Sequence, residues 1–171
     1  MRKLITAILV LVFVIPLAVD AKDLKLGYIH SQRILEEFQE SQEAQRTLDD
    51  EQREWLTEAK RMEDEITALE KELENQSLLI SEEKKAERIR EIQKKYMEYQ
   101  QYQQEVWGDT GRLFQRNKEL TQPIIDKVNA VIHKLGEEGE YDVIFDAAVG
   151  NIVYAKEDFD MTDLVLEELN K

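Results

Sequence analysis

The side chains that most often carry out catalysis or bind metals are scarce in this chain. It contains two histidines, His30 and His133, and no cysteine. Neither histidine has a second ligand at the spacing of a zinc motif such as His-Glu-x-x-His. No glycine-rich phosphate loop and no nucleophile elbow occurs either. We therefore expect no metal site, no cofactor and no enzymatic activity.

Acidic side chains are abundant. Because paired carboxylates act as acid and base in many enzymes, they are the remaining candidates for catalysis in this chain. The chain carries 37 Asp and Glu residues against 23 Lys and Arg, a net charge of −14. Most of them lie in segments with helical periodicity, where a solvated face with i,i+4 pairs is their usual role. A nucleic-acid partner needs a basic footprint, and so acidic a chain predicts none.

The charge is unevenly placed along the sequence. Residues 36–75 contain 15 acidic and 5 basic side chains, whereas residues 81–95 contain six basic and four acidic ones. We expect the basic stretch from Lys84 to Lys95 to form interhelical and i,i+4 pairs with the acidic segment. Electrostatic attraction of a binding partner is the alternative.

The first 21 residues have the three-part layout of a secretory signal peptide. Arg2 and Lys3 precede a largely apolar run from Leu4 to Leu17, and the small residues Val19 and Ala21 fit a cleavage site. A run of 14 residues is shorter than the roughly 20 that a membrane span requires. We expect export and cleavage, rather than a retained anchor, and a domain that covers residues 22–171.

The middle of the chain has a seven-residue repeat in two segments, each typical of a coiled coil. Between Ser31, a candidate helix cap, and Lys134 only Pro123, Gly108 and Gly111 would interrupt a helix. The expected seam residues of the first segment are Leu48, Gln52, Trp55, Ala59, Met62, Ile66, Leu69 and Leu73. Those of the second are Ile89, Ile92, Tyr96, Tyr99, Gln103, Val106, Thr110, Leu113, Asn117, Leu120 and Ile124.

The two segments are expected to form an antiparallel hairpin. A short connection, with its tip near residues 75–81, joins them, and Ser81 is the candidate cap of the second helix. Counting outward from this tip places Trp55 near Tyr99 and Tyr102. The arm is predicted at residues 39–123, and each of its helices should be roughly 60–80 Å long at 1.5 Å per residue.

The two ends of the chain predict a small β part. Leu24–His30 and Tyr141–Asp146 alternate as strands do, and Ile152–Ala155 is a third candidate, joined to the second by a turn at Gly150-Asn151. Asp160 can cap a terminal helix. The predicted fold is mainly α with a small β part: a body of residues 22–38 and 124–171 that carries the helical arm. Three short strands make a weak domain alone, so assembly with other copies is expected.

With this layout the chain resembles the Skp/OmpH family of periplasmic chaperones for outer-membrane proteins. The resemblance rests on the order of strand, long hairpin, two strands and helix. It also rests on four stretches: Leu24-Lys25-Leu26-Gly27-Tyr28-Ile29, Tyr141-Asp142-Val143-Ile144-Phe145-Asp146, Ile152-Val153-Tyr154 and Asp160-Met161-Thr162-Asp163-Leu164.

The resemblance implies a jellyfish-shaped homotrimer in the periplasm, in which a β-rich body carries three arms around a cavity. It implies an ATP-independent holdase that keeps unfolded outer-membrane proteins from aggregating and has no stable membrane insertion after signal cleavage. The best-known members are strongly basic and this chain is acidic, so no lipid or lipopolysaccharide site is assigned. The alternative is a structural coiled-coil spacer of the cell envelope, which would need no compact trimer body.

Three sets of residues are candidates for particular roles. The trimer body and its interface are expected from Leu26, Tyr28, Val143, Phe145, Ile152 and Tyr154, with a monomer core as the alternative. Client contact is expected from Leu78, Leu79 and Ile80 at the tip and from Tyr102, although the tip residues could simply close the turn. A hinge is expected at Gly108 and Gly111, since two glycines within one helical turn weaken a helix. A close helix crossing is the alternative role of these glycines.

Overall fold

The computed structural model describes residues 23–171, so the predicted signal peptide lies outside the described residues. In chain order the elements are β1 (Leu26–Ile29), α1 (Ser31–Glu37), α2 (Gln39–Gln76), α3 (Glu82–Trp107), α4 (Arg112–Glu138), β2 (Val143–Asp146) and α5 (Thr162–Leu169). This composition agrees with the predicted mainly α class. Within residues 23–171 no helix combines the length and the hydrophobicity that a bilayer span requires.

The sheet has two strands, which run parallel. Leu26 of β1 pairs with Val143 of β2, and Ile29 pairs with Asp146. The predicted β-hairpin between β2 and a third strand at Ile152–Ala155 is wrong, because that segment has no strand structure. Asp146 accepts a hydrogen bond from the backbone N–H of Ala148, and this short 3₁₀ turn directs the chain out of line with β2 before a hairpin can form.

The predicted helix start at Ser31 also needs correction. His30 is the N-cap residue, and Ser31 lies inside the first turn, where its hydroxyl donates to Asp146 at 2.6 Å. The helix then breaks at Phe38, which has extended backbone angles and a fully buried ring. The chain breaks here because the extended backbone at Phe38 places its ring in the hydrophobic core.

The arm is an antiparallel pair of helices, as predicted. Helices α2 and α3 are joined by a turn at residues 77–81, and the Ser81 side chain accepts a hydrogen bond from the N–H of Lys84, as expected of a cap. The α2 seam follows the predicted heptad, with Leu48, Ala59 and Ile66 buried. The Tyr102 hydroxyl donates to the Trp55 carbonyl at 3.3 Å, so these neighbours were also predicted correctly.

The predicted α3 seam is right at every second position: Ile92, Tyr99 and Val106 are confirmed, and the positions between them lie one residue earlier than predicted. The less exposed positions of the seam are Lys85, Arg88, Ile92, Lys95, Tyr99, Tyr102 and Val106, which keep the three-four spacing. Ile89 and Tyr96, both predicted in the seam, are exposed instead. Their places are taken by Arg88 and Lys95, whose ammonium or guanidinium groups pair with Glu72 and Glu65 of α2. The prediction failed here because long charged side chains can line a seam with their apolar stems.

The return half of the hairpin is two helices, where the sequence predicts one. Helix α3 ends at Trp107 and α4 begins at Arg112, with extended backbone angles at Gly108 and Gly111. Helix α2 runs unbroken past this point, where Arg116 of α4 binds Glu51 of α2. Conversely, α4 runs unbroken past the break at Phe38, since its Lys127 contacts Glu40 and the Phe38 ring. Each break is therefore supported by a continuous neighbouring helix.

The hydrophobic core lies in the body, at the base of the arm. Met161 joins α5 to the sheet, because its N–H donates to the Tyr28 carbonyl at 2.8 Å. His30 N–H donates to the buried Thr162 hydroxyl at 3.0 Å, which ties the start of α1 to the start of α5. The buried core residues are Ile29, Ile34, Phe38, Ile124, Val128, Leu135, Met161, Val165, Leu166 and Leu169.

Candidate functional site

One face of the small sheet is apolar and partly exposed within residues 23–171. Successive side chains of a strand point to opposite faces, and the register aligns Leu26 with Val143 and Tyr28 with Phe145. Leu26, Val143 and Phe145 are exposed, whereas Gly27 and Ile29 face the core. The four predicted trimer-body residues on the strands therefore share one face, and three of them are exposed within the described residues.

The segment that follows β2 extends this apolar surface. Val153 is 99% exposed and Tyr154 is 83% exposed, while Ile152 is half-buried. Together with the sheet face they line an open groove of about 870 Å³. Within the described residues, the backbone N–H groups of residues 151–155 donate to no other backbone group. Backbone groups without a backbone partner beside an apolar face form a surface that a strand of another chain can pair with.

At the far end of the molecule the tip exposes two leucines. Leu78 is 96% exposed and Leu79 is 85% exposed, whereas Ile80 is half-buried. Ile80 lines a narrow space between the two helices beside Leu73 and Ile92, so it closes the hairpin. The Leu79 N–H donates to the Gln76 carbonyl at 2.8 Å within the turn, but the side chains of Leu78 and Leu79 remain exposed. An exposed pair of large apolar side chains is typical of a contact surface.

Tyr102 is placed differently from the other candidate contact residues. Besides its hydrogen bond to Trp55, its ring packs edge-on against Trp107 at 6.2 Å between centroids. The Arg112 guanidinium lies 5.3 Å from the ring centroid and also binds Glu105 across the helix break. Tyr102 thus holds the break together within the hairpin, and its contact with a client stays a prediction.

The predicted hinge glycines occupy this helix break. Gly111 is buried, and its N–H donates to the Gly108 carbonyl at 2.8 Å. A Cβ atom at Gly111 would lie 2.6 Å from the Val106 carbonyl oxygen and 2.9 Å from that of Glu105. The chain therefore needs glycine here for a close backbone approach. Flexing of the arm at this point stays a prediction, and the unbroken α2 beside it opposes a free bend.

The basic stretch near the tip is paired as predicted. Lys95 lies 2.7 Å from Glu65 and Arg88 lies 3.6 Å from Glu72 across the hairpin, and Arg88 also binds Glu91 on its own helix. These pairs raise the pKa of Arg88 and of Lys95. The ion pairs of Lys95 and Arg88 link α3 to α2, although each exposed pair contributes little to stability.

Two carboxylates of the body have lowered pKa values. Burial favours a higher pKa at Asp146, but the hydrogen bonds from Ser31 and from the Ala148 N–H outweigh burial and lower it. The Lys134 and Lys171 ammonium groups lower the pKa of Glu168 to about 2. Both carboxylates have structural partners, and in residues 23–171 no group of His, Asp and Glu side chains is placed to hold a metal ion.

Several exposed apolar residues lie outside the sites that the sequence predicts. Val149 and Val153 of the body, and Tyr96 and Met97 of α3, are more than half exposed. A signal for the last two was present in the sequence. Arg88 and Lys95 are seven residues apart, as are Glu65 and Glu72, and this spacing allows two matched pairs across an antiparallel hairpin.

Comparisons with known proteins agree with this architecture. The model of the family described as outer membrane protein (OmpH-like) matches residues 25–169. A crystal structure of a candidate outer membrane chaperone (OmpH-like) from Caulobacter crescentus CB15 has the same fold, with a TM-score of 0.77 and 14% sequence identity. The match covers 86% of this chain and 84% of the Caulobacter chain. No curated protein matches. Since the family match spans nearly all described residues, this chain belongs to the OmpH-like family.

Proposed function

We propose that this protein is a holdase chaperone of the periplasm that binds unfolded outer-membrane proteins without ATP. The observation that carries the proposal is the combination of a long arm with exposed leucines at its tip and a partly exposed apolar face on the body. Membership of the OmpH-like family supports it, as does the candidate chaperone role stated for the Caulobacter protein. We also propose that the protein has no enzymatic activity and needs no cofactor.

Assembly as a homotrimer is part of the proposal. The sheet face of Leu26, Tyr28, Val143 and Phe145 would become the interface, and the segment with Ile152 and Tyr154 would pair with a strand of a neighbouring copy. This pairing would satisfy backbone donors that have no backbone partner within the described chain. Three arms on one body would enclose a cavity, and a client held there cannot meet other clients and aggregate.

A structural spacer is the competing function, and the body argues against it. A spacer needs only the two-helix arm, whereas residues 23–171 also form a sheet with a partly exposed apolar face. Burying apolar area stabilises an interface by roughly 25 cal/mol per Å². Such a surface is therefore best explained by a compact assembly that holds several arms together.

Two measurements test the proposed function. Native mass of the purified protein should correspond to three copies, and Phe145→Asp should dissociate the assembly because a charge would be buried at the interface. Leu56→Asp, at an exposed site of the arm, is the matched control and should leave the mass unchanged. A trimer that tolerates Phe145→Asp would contradict the interface assignment.

The second measurement concerns clients. An unfolded outer-membrane β-barrel protein diluted from denaturant should stay soluble in the presence of the protein, with no nucleotide added. A soluble coiled-coil protein of similar length and charge serves as the control. Aggregation at the same rate with both proteins would refute the holdase function and leave the spacer as the explanation.

A further inference from the structure

The charged seam of α3 exposes residues that would otherwise be buried. Arg88 and Lys95 occupy seam positions because Glu72 and Glu65 bind them from α2. Ile89 and Tyr96 each follow one of these residues directly and are 39% and 51% exposed. An exposed ion pair contributes little to stability, whereas burying an apolar side chain contributes more. With Arg88 and Lys95 in the seam the hairpin is therefore less stable than it would be with Ile89 and Tyr96 buried there, and these two side chains face solvent instead.

These residues belong to a continuous uncharged stripe along the outer arm. It begins at Ala86 and advances in steps of three and four residues, which keeps its members on one side of the helix. The stripe extends for roughly 30 Å at 1.5 Å per residue. None of its members is charged, although 12 of the 26 residues of α3 are. The neutral stripe consists of Ala86, Ile89, Gln93, Tyr96, Gln100, Gln103 and Trp107.

The stripe offers both apolar contacts and hydrogen-bonding groups. All of its members are exposed except Trp107, which is half-buried, and Met97 beside it is 62% exposed. Among the described residues, the side chains of Gln93 and Gln100 form no hydrogen bond, so their amides are available. A glutamine amide both donates and accepts, and it can therefore bind either backbone group of another chain.

We propose that the neutral stripe binds extended segments of the unfolded client, an inference that rests on the proposed function. An unfolded chain exposes apolar side chains and unpaired backbone N–H and C=O groups, and the stripe has a partner for each. Because the stripe carries no charge, it should bind uncharged segments of the client in preference to charged ones. Basic segments would be attracted to the acidic side chains of α2. An uncharged segment can bind the stripe without removing any charged group from water.

The spacing of the stripe would also suit a helix of a second copy, but its composition argues against that occupant. Three of its seven members are glutamines, and a helix packed there offers no free backbone groups to their amides, because its own backbone N–H and C=O groups are already paired. An extended chain supplies partners along its whole length. The client is therefore the better match for this surface.

Cross-linking tests the location of the contact in the assembled protein. A photoreactive phenylalanine analogue at Tyr96 should cross-link an unfolded barrel protein, and the same analogue at Lys94 should do so at least fivefold less. Lys94 lies on the opposite side of α3 and is highly exposed, so it controls for access. Equal yields at the two positions, or cross-links from Tyr96 only to a second copy of this chain, would overturn the proposal.

Substitution tests the contribution of the stripe to binding. Ile89→Gln with Tyr96→Gln should weaken client binding about tenfold, equivalent to about 1.4 kcal/mol. Leu56→Gln with Phe114→Gln, at arm sites of similar exposure outside the stripe, should change it less than twofold. Helicity and native mass should match the wild type in both variants.

Different outcomes would refute client binding by the stripe and the holdase function of the protein. If the wild type keeps the client soluble and the stripe variant does so equally well, the stripe is refuted and the holdase function stands. If the control variant loses as much binding as the stripe variant, the contact is not specific to the stripe. A wild type that fails to bind the client refutes the proposed function.

Discussion

Alanine at Gly111 tests whether the return half of the arm is broken, as the structure has it, or continuous, as the heptad pattern predicts. In the structure a Cβ at this position meets the carbonyl oxygens of Val106 and Glu105 at 2.6 and 2.9 Å. Both are backbone atoms, which cannot move aside as a flexible side chain would. Overpacking of this kind costs about 1–3 kcal/mol.

The unfolded state partly offsets this cost. Replacing glycine with alanine removes conformational freedom from the unfolded chain, which stabilises the fold by about 0.4–1 kcal/mol. The backbone angles at Gly111 are accessible to alanine, so no torsional strain is added. The free energy of unfolding should therefore fall by about 1–2 kcal/mol. For a chain of this size that lowers Tm by roughly 2–8 °C.

Gly136→Ala provides the matched control. Gly136 lies inside α4, and a Cβ there would meet only the Ile144 side chain, at 3.3 Å. Because alanine is favoured over glycine in a helix interior by roughly 0.5–1 kcal/mol, this variant should be as stable as the wild type or slightly more stable. Denaturant unfolding followed by circular dichroism, at one protein concentration, measures both variants.

The sign of the effect decides the question. If α3 and α4 formed one regular helix, Gly111→Ala would raise stability as Gly136→Ala does. A Gly111→Ala variant that unfolds at higher denaturant concentration than the wild type would refute the broken arm and the close backbone contact from which the loss was worked out.

Three further predictions concern charge and the tip. The lowered pKa of Glu168, about 2, means that its ion pairs stabilise the fold fully above about pH 4.5 and are lost as the pH falls towards 2. The difference in Tm between the wild type and Glu168→Gln should therefore shrink over that range, and a constant difference would contradict it. Arg116→Met and Glu51→Met should each lower Tm, and the double variant should lose less than the sum, since each removes the same ion pair. Serine at both Leu78 and Leu79 should weaken client retention without changing helicity, and unchanged retention would assign these leucines to the turn alone.

Much of the architecture could be predicted from periodicity. The α2 seam was correct at every position because its members are mostly apolar and the heptad is long. The α3 seam was misplaced at every second position because Ile89 and Tyr96 are more hydrophobic than Arg88 and Lys95, whereas Ile92, Tyr99 and Val106 were correct. The choice between them depends on Glu65 and Glu72 across the hairpin, which are distant in the sequence.

The β part was predicted less well, for a related reason. The two strands were found from their alternation, but their parallel pairing and the irregular course of Ile152–Ala155 were not. Alternation of apolar and polar residues indicates that a segment suits an extended conformation, but it does not identify the strand with which that segment pairs. Where the partner belongs to another copy, as we propose for this segment, one chain cannot form the strand.

The heptad seam between α2 and α3 makes the arm a structure of adjustable length. Seven residues added to α2 and seven to α3 at facing positions would leave every seam contact and ion pair in register, and the arm would grow by about 10 Å. Seven residues added to one helix alone would make α2 and α3 unequal in length, so the turn between them could no longer join their ends without strain. Paired insertions or deletions beyond the helix break would thus change the reach of the arm while the body stays the same.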